Sequence, residues 1–213
     1  PADGAIERRF ALTIFHDNDL HGQLLPFPYV EVGMGSNEHA SVGGAARRAT
    51  LIRELRSGCT NATLVLNAGD VFTRGPLTTT WRGMPDIAAM NAICYQAASI
   101  GNNEFKAYDG ADETNASASQ AALLAAIKRS RFPWVCANTV DSKGAFLEGV
   151  RPYVVLNIGG IRVGILGLTT PRSAPYPQVR GWKITDPIAA AKEWIPKARA
   201  ECDLLILLSH LGF

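Results

Sequence analysis

Five side chains in four short segments carry the chemistry of this sequence. Asp19 and His21 stand in "HDNDLHG", Asp70 in "NAGD", Asn102 in "IGNNE" and His210 in "LLSHLG". Each segment follows a run that reads as a β-strand. In an open α/β sheet the loops at the carboxyl ends of the strands share one edge, where ligands bind. Four strands therefore deliver two carboxylates, two imidazoles and an amide to one place. Oxygen and nitrogen donors without sulfur suit Mn, Zn, Fe, Co or Mg better than a thiolate metal. A carboxylate with ligands on both sides can bridge two cations. Metals about 3.5–4 Å apart clamp the attacking and leaving oxygens of an in-line displacement, and they make hydroxide available near neutral pH. Singly, each residue has a plainer reading: a surface histidine beside a turn, a Gly-Asp loop, an Asn cap, a satisfied buried histidine. Their order and shared placement at strand ends favour the metal site.

The elements that must position these residues alternate from end to end, which argues for α/β. "FALTIFH" (10–16), "TLVLNAG" (63–69), "AASIGN" (97–102) and "WVCANTV" (134–140) read as strands. Helical patterns fill 41–58, 84–97 and 118–130, with Ser41 as N-cap and Gly58 as C-cap of the first. The strongest hairpin signal is Gly159-Gly160, between the two β-branched runs of 153–168. A further helix starts at Asp186-Pro187, and Pro196 inside it predicts a kink or a break. "LLILL" at 204–208 reads as a buried strand. It is far short of the ~18 apolar residues of a membrane span. Residues 1–213 read as one domain, and its halt just after a strand predicts a piece of something larger.

With 47% apolar and 19% charged residues the chain can bury a real core. A net charge of +2 argues against a nucleic-acid polymer as partner, which would need clustered Lys and Arg. The start "PADGAIERRF" has no apolar signal-peptide segment, although mature exported proteins often begin with such small and polar residues. Cys59, Cys94, Cys136 and Cys202 form no C-x-x-C pair and read as small core residues. Cys59 and Cys202 each precede a strand, so a disulfide would require those strands to be neighbours. Asn61-Ala-Thr63 and Asn115-Ala-Ser117 match the short glycosylation pattern.

Taken together, "HDNDLHG", "NAGDVFTRG", "GNNEF", "CANTV", "VGILGLTT" and "LSHLGF" resemble the catalytic domain of the 5'-nucleotidase branch of calcineurin-like metallophosphoesterases, which includes the UDP-sugar hydrolases. The resemblance covers nearly the whole chain. It implies a four-layer α/β/β/α sandwich with two divalent metal ions between the strand ends. By motif, Asp19 and His21 would bind the first metal, Asp70 would bridge, and Asn102 and His210 would bind the second. "GGAARRATLI" matches the family's first helix, which makes Gly43 and Gly44 close-packing residues and not a phosphate cradle. It also implies a phosphate ester or nucleotide as substrate, and a periplasmic or secreted location. A further ligand motif and a C-terminal substrate-binding domain would lie beyond this chain.

Two departures from the family pattern matter. The motif usually reads Gly-Asn-His-Glu-Phe-Asp, its His and final Asp forming a dyad near the phosphate. Here those positions are Asn103 and Lys106. Asn103 keeps a hydrogen-bond donor for a phosphoryl oxygen and Lys106 adds positive charge, while His39 is a candidate stand-in donor that reads first as a solvent-exposed loop residue. General acid help is worth ~10²–10⁴-fold, so its loss weakens metal-driven attack without abolishing it. The second departure is length, which leaves five of the expected protein ligands. The expected function is hydrolysis of phosphate esters, nucleotides first, by metal-bound hydroxide. The alternatives are a related hydrolase of another anion, as in the thiosulfohydrolases, and an inactive metal- or nucleotide-binding module.

Overall fold

A computed structural model describes residues 9–30, 38–106 and 116–212. Its first sheet is wholly parallel, in the order β1 (Leu12–Asp17), β4 (Ala62–Asn67), β5 (Ala97–Ser99), β6 (Trp134–Val135), β8 (Val150–Arg151). The second has the order β12 (Leu204–His210), β10 (Ile161–Thr169), β9 (Tyr153–Ile158). There β10 runs parallel to β12 and antiparallel to β9. Two small ribbons complete the strands: β2 (Phe27–Val30) with β3 (Glu38–Val42), and β7 (Thr139–Asp141) with β11 (Trp182–Ile184).

Apolar faces assemble these pieces into four layers. Helices α1 (Ala45–Ser57), α3 (Met84–Ile93) and α4 (Ala116–Arg129) cover the outer face of the first sheet, around Ile87, Met90, Leu123 and Trp134. The short α2 (Pro76–Thr80) leads into α3. Leu64, Leu66 and Val135 of the first sheet meet Val154, Val163 and Ile165 of the second. Helix α5 (Pro187–Glu201) closes the other side, through Ala190, against Leu166 and Leu168. The expected α/β/β/α sandwich is the architecture observed. Gly167 shows how tightly the layers meet: a Cβ there would lie 2.2 Å from the Val135 carbonyl oxygen.

Several local expectations hold. The hairpin turns at Gly159-Gly160, both with positive φ (61° and 86°), as a two-residue type I′ turn requires. Asp186 caps α5 by accepting a hydrogen bond from the Ala189 N–H at 2.7 Å, with Pro187 in the first turn. Gly58 ends α1.

Others are corrected. Ser41 is not the cap of α1; it lies in β3, and the helix starts at Ala45 after Gly43 and Gly44, whose φ of 66° and 89° cannot be helical. "WVCANTV" is not one strand. Its first residues join the first sheet as β6, and the chain then crosses over, Cys136 N–H donating to Arg151 O and Ala137 N–H to Gly167 O. The buried Asn138 fixes the crossing: its amide bonds the backbone of Thr169 and Thr185. Pro196 does not break α5, which runs unbroken from Pro187 to Glu201. Ala190 and Ala198, buried on either side of Pro196, hold the helix by tertiary packing. "LLILL" is not a buried run: Leu204 and Leu207 are exposed, because β12 is an edge strand.

All four cysteines are free, and Cys59 and Cys202 precede strands of different sheets. Cys136 and Cys202 are core residues, whereas Cys94 is exposed and Cys59 half-buried. Asn61 donates its amide to Thr13 Oγ1 at 2.8 Å; Asn115 lies outside the described residues. Among the described residues no helix is long and apolar enough to cross a membrane.

Candidate metal centre

The loops after β1 and β4 continue the pairing of their strands. Asp19 N–H donates to Gly69 O (2.9 Å), His21 N–H to Asp70 O (3.1 Å) and Gly22 N–H to Val71 O (2.9 Å). This zipping forces left-handed backbone on residues other than glycine: φ is 54° at Asp19, 47° at His21 and 59° at Asp70. Such conformations persist only where their surroundings over-determine them, and they cluster at functional sites. The loop after β5 presses in as closely. A Cβ on Gly101 would lie 2.3 Å from Asp70 Oδ1, so only glycine lets Asp70 sit where it does.

This scaffold brings all five expected ligands together. His21 Nε2 is 3.3 Å from Asp19 Oδ1 and 3.8 Å from Asp70 Oδ2. On the other side His210 Nε2 is 3.4 Å from Asp70 Oδ1 and 3.3 Å from Asn102 Oδ1. The buried Asp70 therefore turns one oxygen toward each group. Donor atoms of Asp19, His21 and Asp70 all lie within 4.8 Å of one another. That spacing suits one shared ion, whose bonds to such donors are about 2.0–2.2 Å. The donor set fits divalent metal on chemistry as well as spacing.

The surroundings aim and charge these groups. His210 Nδ1 bonds the Ala68 carbonyl at 2.8 Å, which orients the ring and turns Nε2 to the centre. Burial works against the charged forms of Asp70 and His210, but their mutual hydrogen bond and charge prevail. Asp70 is held below the usual carboxylate range and His210 is pushed up to about 9. Behind them Asn67 Nδ2 donates to Asp17 Oδ1 (2.9 Å), and the Tyr95 hydroxyl donates to Asp17 Oδ2. Burial first, then the Asp17 charge, pushes the Tyr95 phenol up.

Asn103 and Lys106 are differently placed. Asn103 is buried and grips Asp70 with both donors, its N–H to Oδ1 at 2.8 Å and Nδ2 to Oδ2 at 2.5 Å. The Lys106 ammonium lies 3.9 Å above the centroid of the Tyr176 ring. The side chain of His39, the candidate stand-in donor, lies outside the described residues.

Sequence reasoning assigned no role to Glu104. This carboxylate is 0% exposed and accepts N–H bonds from Asp70 (2.9 Å), Gly101 (2.6 Å) and Val71 (2.6 Å), tying the β4 loop to the β5 loop. Burial, then the charge of Asp70, raises it to about 7 against the pull of those N–H groups. The available signal was a carboxylate set directly between a Gly-Asn-Asn loop and a buried Phe105. Gly43 and Gly44 are close-packing residues as expected: a Cβ would lie 2.7 Å from Phe27 and 2.9 Å from Pro26 N respectively.

Comparison with known proteins agrees with this geometry. Residues 12–213 match the family model of the calcineurin-like phosphoesterases. A probable 5'-nucleotidase of Treponema pallidum is 32% identical over 208 residues, covering 96% of this chain and 33% of that protein. A 5'-nucleotidase of Vibrio cholerae is 31% identical over 214 residues, covering 97% of this chain and 34% of that one. Among solved structures, a 5'-nucleotidase precursor from Thermus thermophilus superposes with a TM-score of 0.80 at 32% identity, covering 94% of this chain and 37% of that one. The chain spans about a third of the length of these relatives. Its sandwich, its converging strand-end donors and the match over 12–213 make it a member of the calcineurin-like phosphoesterase family.

Proposed function

We propose that this chain carries the metal-binding part of a hydrolase of phosphate esters, with nucleotides as its substrates. The observation that supports this most is the placement of Asp70, one oxygen toward Asp19 and His21 and the other toward His210 and Asn102. Asp19 and His21 would hold one divalent ion, Asn102 and His210 a second, and Asp70 both. Bound there, the ions would supply Lewis acidity toward a phosphoryl oxygen and an activated water. The chain's own residues do the positioning. Asn103 fixes both oxygens of Asp70, Glu104 fixes the backbone that carries it, and Ala68 fixes the ring of His210.

The nucleotide assignment rests on relatives described as 5'-nucleotidases, and the rest of a longer parent protein would complete the ligands and hold the base. An exported location belongs to the same proposal, since the Thermus relative is described as a precursor. One observation favours a second reading, a binding module without turnover: Asn103, where the family pattern has a histidine, carries no titrating proton and is committed to Asp70. Assay of the parent protein with excess Mn²⁺ on AMP, UDP-glucose and an activated aryl phosphate separates the readings. Turnover of the nucleotides supports the proposal. Turnover of the aryl phosphate alone removes the nucleotide assignment, and metal binding without any turnover favours the module.

A further inference from the structure

Three polar side chains that are not among the expected ligands form a linked set between the ends of β1 and β4 and the turn from α3 into β5. They are Asp17, Asn67 and Tyr95. Asn67 is 0% exposed, and both ends of its amide are engaged. Its Oδ1 accepts the buried Gly69 N–H at 2.9 Å, and its Nδ2 donates to Asp17 Oδ1 at 2.9 Å. The Tyr95 hydroxyl donates to Asp17 Oδ2, which also faces Arg48 Nε at 3.9 Å.

Closing a strand end needs less than this. The side-chain oxygen of an Asn satisfies the N–H two residues on by itself, and a free amide can turn over to present its NH₂ instead. A carboxylate accepts and never donates, so Asp17 admits only the Nδ2 end and forces Oδ1 onto Gly69. Tyr95 in turn occupies the other oxygen of Asp17. These bonds fix the Ala68-Gly69 turn, and both halves of the metal centre depend on that turn. The Ala68 carbonyl accepts from His210 Nδ1 at 2.8 Å, and the Gly69 carbonyl accepts the Asp19 N–H at 2.9 Å. Asp70 follows directly. The turn has no slack: a Cβ on Gly69 (φ 100°) would lie 2.7 Å from Gly101 N and 3.0 Å from His210 Nδ1.

We propose that Asn67 is a positioning residue of the metal centre, held in its one productive orientation by Asp17 and Tyr95. The inference rests on the metal-binding reading, and its test does not need turnover. The metal-free protein is titrated with Mn²⁺ by calorimetry, and the melting temperature of every variant is recorded. Groups that orient metal ligands typically carry about 10–100-fold in metal affinity, so Asn67→Ala should bind Mn²⁺ about tenfold or more weakly. Asn67→Ser, whose hydroxyl can accept the same Gly69 N–H, should recover about half of that loss on a logarithmic scale. Tyr95→Phe loses a single hydroxyl and should bind about threefold more weakly.

Ile127→Ala is the control. It truncates the core beside Gly149, just ahead of β8 and so at the sheet end away from the centre. It should lower the melting temperature while Mn²⁺ affinity stays within about twofold of wild type. Equal affinity losses in Ile127→Ala and Asn67→Ala, or no recovery in Asn67→Ser, would reduce Asn67 to a structural role and overturn the inference. Should Asn67→Ala not fold, an unchanged Mn²⁺ affinity in Tyr95→Phe overturns it as well. A wild type that binds no Mn²⁺ refutes the metal-binding reading, whereas binding that none of these variants alters refutes this inference alone.

Discussion

Replacing Glu104 by Ala should damage this fold more than any exposed substitution, although Glu104 is not itself among the expected ligands. Three backbone N–H groups, of Asp70, Val71 and Gly101, end on its two oxygens at 2.6–2.9 Å in a site closed to solvent. Hydrogen bonds to a charged acceptor contribute about 1.5–3 kcal/mol each, and an orphaned buried donor costs about 1–3 kcal/mol. Water entering the vacated space, and relief of the repulsion between Glu104 and Asp70, return part of this. A net loss of about 4 kcal/mol follows, a large share of the ~5–15 kcal/mol that holds a typical domain. In urea, with m near 2 kcal/mol/M, the unfolding midpoint should fall by about 2 M. The buried Trp134 serves as the fluorescence probe. Glu104→Gln keeps one acceptor oxygen and should lose about half as much. Mn²⁺ affinity should fall in both variants, because the released N–H groups belong to the loops that carry Asp70 and Asn102. A midpoint shift below about 0.5 M for Glu104→Ala, equivalent to about 1 kcal/mol, would refute the claim that this carboxylate ties the two loops together.

Three further outcomes are expected. Asp70→Ala should weaken Mn²⁺ binding more than Asn102→Ala in calorimetric titration, since one oxygen of Asp70 faces each group of donors; equal losses would count against a bridging role. Asp86, raised to about 6 by burial despite its bond from Thr78, binds its proton more tightly folded than unfolded. Native stability associated with it is therefore full below pH 3.8 and is lost as pH rises through about 6, so Asp86→Asn should gain up to about 3 kcal/mol relative to wild type between pH 4 and pH 7 in urea unfolding. Gly167→Ala should lower stability by about 1–3 kcal/mol in the same assay, because its Cβ meets rigid backbone of the neighbouring sheet; an unchanged midpoint would mean that the layers shift freely.

The sequence revealed most where one residue type has a single physical use. Gly159-Gly160 had to be a tight turn, and Asp186-Pro187 had to start a helix. Polar residues directly after apolar runs had to gather at strand ends, and Asp19, His21, Asp70 and Asn102 from the first sheet do meet His210 from the second. It revealed least where a tertiary partner decides. Nothing in "WVCANTV" marks the point after Val135 where the chain leaves the first sheet for the β7–β11 ribbon; the crossing is set by Asn138 bonding Thr169 and Thr185, 31 and 47 residues away. "LLILL" has the composition of a buried run, yet among the described residues β12 has a paired neighbour on one side alone. Glu104 was hidden for the same reason, since Asp70 and Val71, two of its partners, lie in a loop more than 30 residues earlier.

The pair Asn103 and Lys106 takes on physical meaning in the same way. Where the family pattern has a histidine and an aspartate acting together, these two side chains turn apart, Asn103 to Asp70 and Lys106 to the face of Tyr176. A lysine cannot orient an imidazole as a carboxylate does, so replacing the aspartate removes the reason to keep the histidine. An asparagine in its place retains donors for the Asp70 carboxylate without adding a second titrating group beside it. Gly101 adds to this. It leaves room for Asp70 Oδ1, and that oxygen then receives the Asn103 N–H and faces His210. In this chain the loop holds the Asp70 carboxylate through Asn103, and the five expected ligands stand together beside it.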